Sequence, residues 1–140
     1  ANEPWYVYNA NYGTSEEKEF VKMFARRFEH LDKKFKNIYL IRNEREIKII
    51  DKLGRAFEPD FILFCKQKKG KELTYQVFIE PKGNHLVAHD KWKEDFLKEI
   101  RNEQKNISID TDKYLITGVP FYNNANENEF KETLEATLNK

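Results

Sequence analysis

One cysteine in 140 residues excludes an internal disulfide framework. Cys65 fits a reducing compartment, so the expected location is the cytoplasm. No apolar stretch approaches the roughly 18 residues that a membrane-spanning helix needs, and no membrane partner is expected. Neither sign of charge is in surplus: 25 Lys and Arg face 24 Asp and Glu, for a net charge of +1. Net charge therefore names no partner, and local patches must decide. Internal repeats, Ser/Gly linkers and low-complexity tracts are absent, so one domain is expected over residues 1–140. Apolar residues are sparse at 39% and charged residues plentiful at 35%. The core is therefore expected to be modest, yet two Trp, seven Tyr and eleven Phe argue against disorder. The chain opens at Ala1 and runs at once into Trp5-Tyr6-Val7-Tyr8. That opening suggests a domain excised from a longer protein.

Apolar periodicity organises what is there. Phe20, Val21, Phe24, Ala25, Phe28 and Leu31 recur at helical spacing and predict a helix over 14–31. Thr14 can cap it, with Glu17 three residues on as the capping-box partner. The runs Ile38–Ile41 and Ile47–Ile50, with Asn43 and Glu44 between them, predict a hairpin. Gly54 marks a turn. Asp60–Cys65 and Leu73–Lys82 predict two strands that are apolar on both sides and hence covered on both faces. Between them the run from Lys66 to Glu72, with Gly70, reads as a loop. A helix is predicted over 90–105, a strand over 113–119 and a final helix over 127–138. The order predicts an α/β fold: a mixed sheet of four to five strands flanked by helices on both faces.

Two of these strands carry the chemical signal. Pro59-Asp60 opens one, and Glu80-Pro81-Lys82 closes the next. Side chains alternate along a strand, so Glu80 and Lys82 share a side, and Asp60 can meet them from the neighbouring strand. Converging carboxylates repel one another, and a divalent cation removes that cost. Hard oxygen ligands suit Mg²⁺. Lys82 beside it could orient a water, help acidify it, or offset charge on a reacting phosphate. Glu17 projects near the centre of the first helix's apolar face, where a carboxylate is costly unless paired or metal-bound. Pro81 donates no ladder bond, so the strand ends, bulges or becomes an edge there, leaving the Pro81 carbonyl available to a metal. Each feature also has an ordinary reading: a chance ExK triplet forming a solvated ion pair, a Pro-Asp turn, and a Glu17 that only caps.

Five blocks stand in order: Gly13-Thr14-Ser15-Glu16-Glu17-Lys18, Arg42-Asn43-Glu44, Gly54 to Phe61, Tyr75 to Gly83, and Asp90 to Leu97. Together they resemble the C-terminal endonuclease domain of the Res subunit of type III restriction enzymes, within the PD-(D/E)xK nuclease superfamily. The resemblance spans about Tyr8 to Ile100. It implies a restriction-endonuclease-like core and Mg²⁺-dependent hydrolysis of phosphodiester bonds in double-stranded DNA. It also implies roles: Asp60 and Glu80 bind metal, Lys82 serves the attacking water, and Glu17 takes the family's helix glutamate. Such subunits carry an ATP-driven helicase-like motor and work with a modification (Mod) methyltransferase subunit in phage defence. No GxxxxGK[ST] phosphate loop occurs here, so ATP would belong to a motor outside this segment. The competing reading is a non-catalytic nucleic-acid-binding or scaffolding domain that keeps the fold.

Other residues have weaker claims. Lys91 and Lys93, at the start of the second helix, are candidates for phosphate contacts, as is the lysine loop 66–71; an ordinary solvated face is the alternative for both. Gln76 shares the side of Glu80 and Lys82 and is a candidate DNA or site contact. His85 and His89 stand four apart without a cysteine partner, so a loop is expected there rather than a zinc site.

Overall fold

The computed structural model describes residues 6–7, 15–70, 72–83, 88–109 and 112–139. In chain order the elements are β1 (Tyr6–Val7), α1 (Ser15–Lys34), β2 (Phe35–Arg42), β3 (Ile49–Ile50), β4 (Ala56–Phe57), β5 (Phe61–Gln67) and β6 (Thr74–Ile79). After these come α2 (Lys91–Glu103), β7 (Lys105–Ile109), β8 (Asp112–Gly118), a 3₁₀ turn (Asn124–Asn126) and α3 (Glu127–Leu138).

The result is an α/β domain built on one mixed sheet of six strands, in the order β1-β2-β5-β6-β8-β7. The sheet is wider than the four to five strands expected, because two elements that the sequence hides add to its margins. The two-residue β1 pairs parallel with β2 at one edge. β7 pairs antiparallel with β8 at the other, directly after the predicted helix over 90–105, where no strand is expected. Strands β5 and β6 form an antiparallel central pair, and β8 joins β6 in parallel.

The predicted hairpin between Ile38–Ile41 and Ile47–Ile50 does not form. β2 lies against β5, with Leu40 opposite Leu63, while β3 pairs with β4 in a separate two-stranded ribbon. Asn43 explains the divergence. Its side-chain oxygen accepts from Glu46 N and Ile47 N, and its amide donates to Ile47 O and Pro59 O. Its backbone N–H donates to Asp60 O at 2.8 Å. The turn after β2 is thus pinned to the start of β5 rather than folded back on β2. The ribbon then turns at Gly54, whose φ of +81° suits a residue without Cβ.

Both faces of the sheet are covered, as the doubly apolar strands require. On one face, Phe20, Met23, Phe24 and Leu31 of α1 and Phe130, Leu134 and Leu138 of α3 pack on Phe61, Leu63, Tyr75, Val77 and Ile79. On the other face, Leu97 of α2 and Phe57 of the ribbon pack on Ile62, Phe78 and Phe121. Gly118 lets α2 come close, since a Cβ there would sit 2.9 Å from Leu97 O. The Arg55 guanidinium lies 4.4 Å from the centre of the Trp92 ring, and Lys93 Nζ lies 5.5 Å from that of Phe57. These contacts fasten the ribbon to α2.

Candidate active site

The acids and the lysine meet at one end of the sheet, where the two covering layers converge. β6 ends at Ile79, and its path continues as a single parallel bridge between Pro81 and Tyr122. In that bridge Tyr122 N donates to Glu80 O and Lys82 N to Tyr122 O. The pattern turns the nitrogen and carbonyl of Pro81 away from Tyr122, toward the side where β5 has only just begun. The missing N–H of proline therefore costs no ladder bond. It also leaves the Pro81 carbonyl outside that ladder.

Glu80 is buried, at 4% exposure. Its Oε1 accepts the backbone N–H of Asp60 at 2.9 Å, and its Oε2 lies 3.4 Å from Lys82 Nζ. Glu17, delivered by the first turn of α1, is also buried, at 7% exposure. Its Oε2 pairs with Arg42 Nη2 at 3.1 Å. The charges of Glu80 and Glu17 both act on the Asp60 carboxyl. The projection of Glu17 onto the inner face of the helix is thus met in three dimensions. Thr14, its proposed capping partner, lies outside the described residues.

Three carboxyls gathered away from water cannot all ionise cheaply. Burial, followed by the charges of Glu80 and Glu17, pushes Asp60 up to about 9. Burial raises Glu80 as well, and the Asp60 N–H and the charges of Lys82 and Lys93 only partly offset it. For Lys82, burial works against the ammonium, but the hydrogen bond to Asp90 and the charges of Glu80 and Asp90 outweigh it. Lys82 therefore titrates above its ordinary range. It is held as a cation.

Asp90, just before α2, completes the arrangement. Its Oδ2 lies 2.8 Å from Lys82 Nζ and its Oδ1 3.6 Å from Lys93 Nζ. Burial pushes Asp90 up, but the bond and charge of Lys82, with Lys93 and His89, leave it below its usual value. Neither Asp90 nor Arg42 stood out singly as a site residue in the sequence. An Asp before a helix reads as an ordinary cap, and Arg42 ends an apolar strand. A depression of about 380 Å³ opens beside Asp60, lined by Arg42, Asn43, Glu44, Arg45 and Glu58.

The remaining candidates separate. Lys93 belongs to the site through Asp90 and its charge on Glu80. Lys91 does not: it is exposed and pairs with Asp95 one turn along α2. Gln76 sits in β6 opposite Phe64 and Ile116, four residues or about 13 Å from Glu80 along the strand. It has the predicted side but not the proximity. The lysine loop follows β5 at the opposite end of the sheet, where Lys68 bonds to Asp32 O. His89 is exposed, and His85 lies outside the described residues.

Asp60, Glu80 and Glu17 are the residues here that could offer hard oxygen donors to a cation such as Mg²⁺. Among the described residues no group of three or more His, Cys, Asp or Glu is placed to hold a metal ion; the Glu80 and Glu17 carboxylates are instead engaged with the Asp60 N–H, Lys82 and Arg42.

On structural grounds the chain is an α/β domain with a mixed sheet. By sequence, residues 1–138 match the family model HI_1054_C, described as a C-terminal domain, and the chain belongs to that family. A protein of Haemophilus influenzae (strain ATCC 51907 / DSM 11121 / KW20 / Rd), described as an uncharacterized protein, is 38% identical over 141 residues. The match covers 91% of this chain and spans 30% of the length of that relative. No solved structure matches the chain. Among the described residues no helix is long and apolar enough to cross a membrane.

Proposed function

We propose that this chain is a Mg²⁺-dependent endonuclease domain with a restriction-endonuclease-like core, which hydrolyses phosphodiester bonds of double-stranded DNA. The observation that carries this reading is the meeting of Asp60, Glu80, Glu17 and Lys82 at one sheet margin. Asp60, Glu80, Glu17 and the Pro81 carbonyl would hold Mg²⁺, which when bound supplies a Lewis acid at the phosphate and acidifies the attacking water.

The chain's own groups have distinct parts. The Asp60 N–H and Lys82 fix the Glu80 carboxylate from two sides. Arg42 holds Glu17 against the same centre. Lys82, kept as an ammonium, has no lone pair to take a proton. It orients the attacking water through an N–H and offsets the charge that builds on the phosphate. Lys93 adds a second positive charge at the mouth of the site.

In the full protein the domain would work with an ATP-driven motor in the same chain and a Mod methyltransferase subunit, as in type III restriction in the cytoplasm. A match to a C-terminal domain, covering 30% of a longer relative, accords with such an arrangement. The test is supercoiled plasmid incubated with Mg²⁺. Nicking or linearisation by the native protein, abolished by Asp60→Ala and strongly reduced by Lys82→Ala, is the expected result. Binding without cutting, repeated with the full-length protein, would overturn it in favour of a non-catalytic domain. Crystals soaked with Mn²⁺ give an independent check: metal touching Asp60 and Glu80 is expected.

A further inference from the structure

Asp90 occupies the position before α2 where an aspartate ordinarily turns its carboxylate onto the first free N–H groups of the helix. Here it makes no such bond. Its backbone carbonyl already accepts from Lys93 N at 2.9 Å, while the carboxylate turns outward and takes Lys82 Nζ at 2.8 Å and Lys93 Nζ at 3.6 Å. A stabilising cap is forgone so that a negative group can sit between two site cations. Local rules broken in this way mark places where function overrides stability.

The geometry also ranks the partners of Lys82. Asp90 is nearer to Nζ than Glu80 is, at 2.8 Å against 3.4 Å. Lysine is a point charge on a flexible four-carbon stem, so whatever holds its tip decides where the charge acts. With one ammonium hydrogen bonded to Asp90 and Glu80 in ion-pair range, the ammonium keeps capacity for a water or phosphate oxygen. The two holds come from different layers: Glu80 from the end of the sheet, Asp90 from the start of α2.

We propose that Asp90 is a positioning residue, which fixes the Lys82 ammonium over the site from the α2 side and tethers Lys93 beside it. This deepens the endonuclease reading and rests on it for the catalytic consequence. The placement of the lysine stands on the geometry alone.

Two experiments separate these levels. In ¹⁵N-labelled protein without added metal, the Lys82 ammonium is expected to give a cross-peak protected from solvent exchange, assigned by its loss in Lys82→Arg. Asp90→Asn and Asp90→Ser should each broaden that peak beyond detection. Serine favours the cap position while removing the carboxylate, so loss of the peak in that variant is not a consequence of a weakened helix start. Persistence of the peak in Asp90→Ser would overturn the proposal. In the full-length protein cutting plasmid with Mg²⁺, Asp90→Asn should lower kcat at least about tenfold with KM for DNA nearly unchanged, and Asp90→Glu should recover part of the loss. A raised KM at unchanged kcat would overturn the positioning role. If the native protein cuts nothing, the endonuclease reading fails, and the protected peak still decides whether Asp90 holds Lys82.

Discussion

The two ends of β5 are about 20 Å apart and use the same residue types in opposite ways. At the Asp60 end, charges from α1, β2, β6 and the start of α2 crowd together out of water, each answering another across the layers. At the Gln67 end, Lys68 and Lys69 stand in solvent around Gly70, and the nearby ion pair of Lys36 with Glu72 lies on the surface. The contrast shows that charge density alone does not mark a site. What distinguishes the Asp60 end is shielding: removing Lys82 takes a counter-charge from the buried Glu80, a far larger penalty than losing a surface pair.

The sharpest way to break the contrast is to remove members of the buried end. Asp60→Ala and Glu80→Ala are expected to bring plasmid cutting to background, and Lys82→Ala to lower it by about 10²–10³, measured as initial nicking rates. Next comes the packing that brings α2 to the site. Gly118→Ala places a Cβ 2.9 Å from Leu97 O, and is expected to cost about 1–3 kcal/mol in denaturant unfolding.

A third test uses protons. Asp60 holds its proton in the fold up to about 9 but releases it near 3.8 when unfolded. The folded state therefore binds the extra proton between those values, and stability falls as pH rises through that window. Melting curves at pH 5 and pH 8 should show the native domain weakening at the higher pH. Asp60→Asn should flatten that difference and melt higher at pH 8, while losing cutting. Mg²⁺ should raise the native melting temperature more at pH 8 than at pH 5. The smallest effect is expected at the other end of the strand: Lys68→Ala with Lys69→Ala should change cutting by less than about twofold.

Much of this was legible in the sequence because it is local. Phe130, Leu134 and Leu138 repeat at one helical spacing, and α3 runs over Glu127–Leu138 as predicted. The doubly apolar β5 and β6 announced a sheet covered on both faces, and the helical projection of Glu17 pointed inward. What escaped depends on partners far apart in sequence. The separation of β2 from β3 rests on Asn43 bonding to Pro59 and Asp60, which no nearby pattern encodes. β7 is a five-residue edge strand directly after a helix, and with Asn106 and Ser108 in it the run is too short and polar to read as a strand. Asp90 was invisible as a site residue because its position has an ordinary use that the fold declines. Gln76 lies as alternation and spacing place it, on the side of Glu80 and two steps further in, opposite Phe64 and Ile116.

Pro81 also shapes the electrostatics of the gap beside it. Any other residue there would aim a backbone N–H, the positive end of a dipole, toward the start of β5. Proline leaves only the partial negative charge of its carbonyl facing that gap. In the proposed reading the backbone thereby adds to the pull of the acidic side chains on a positive guest.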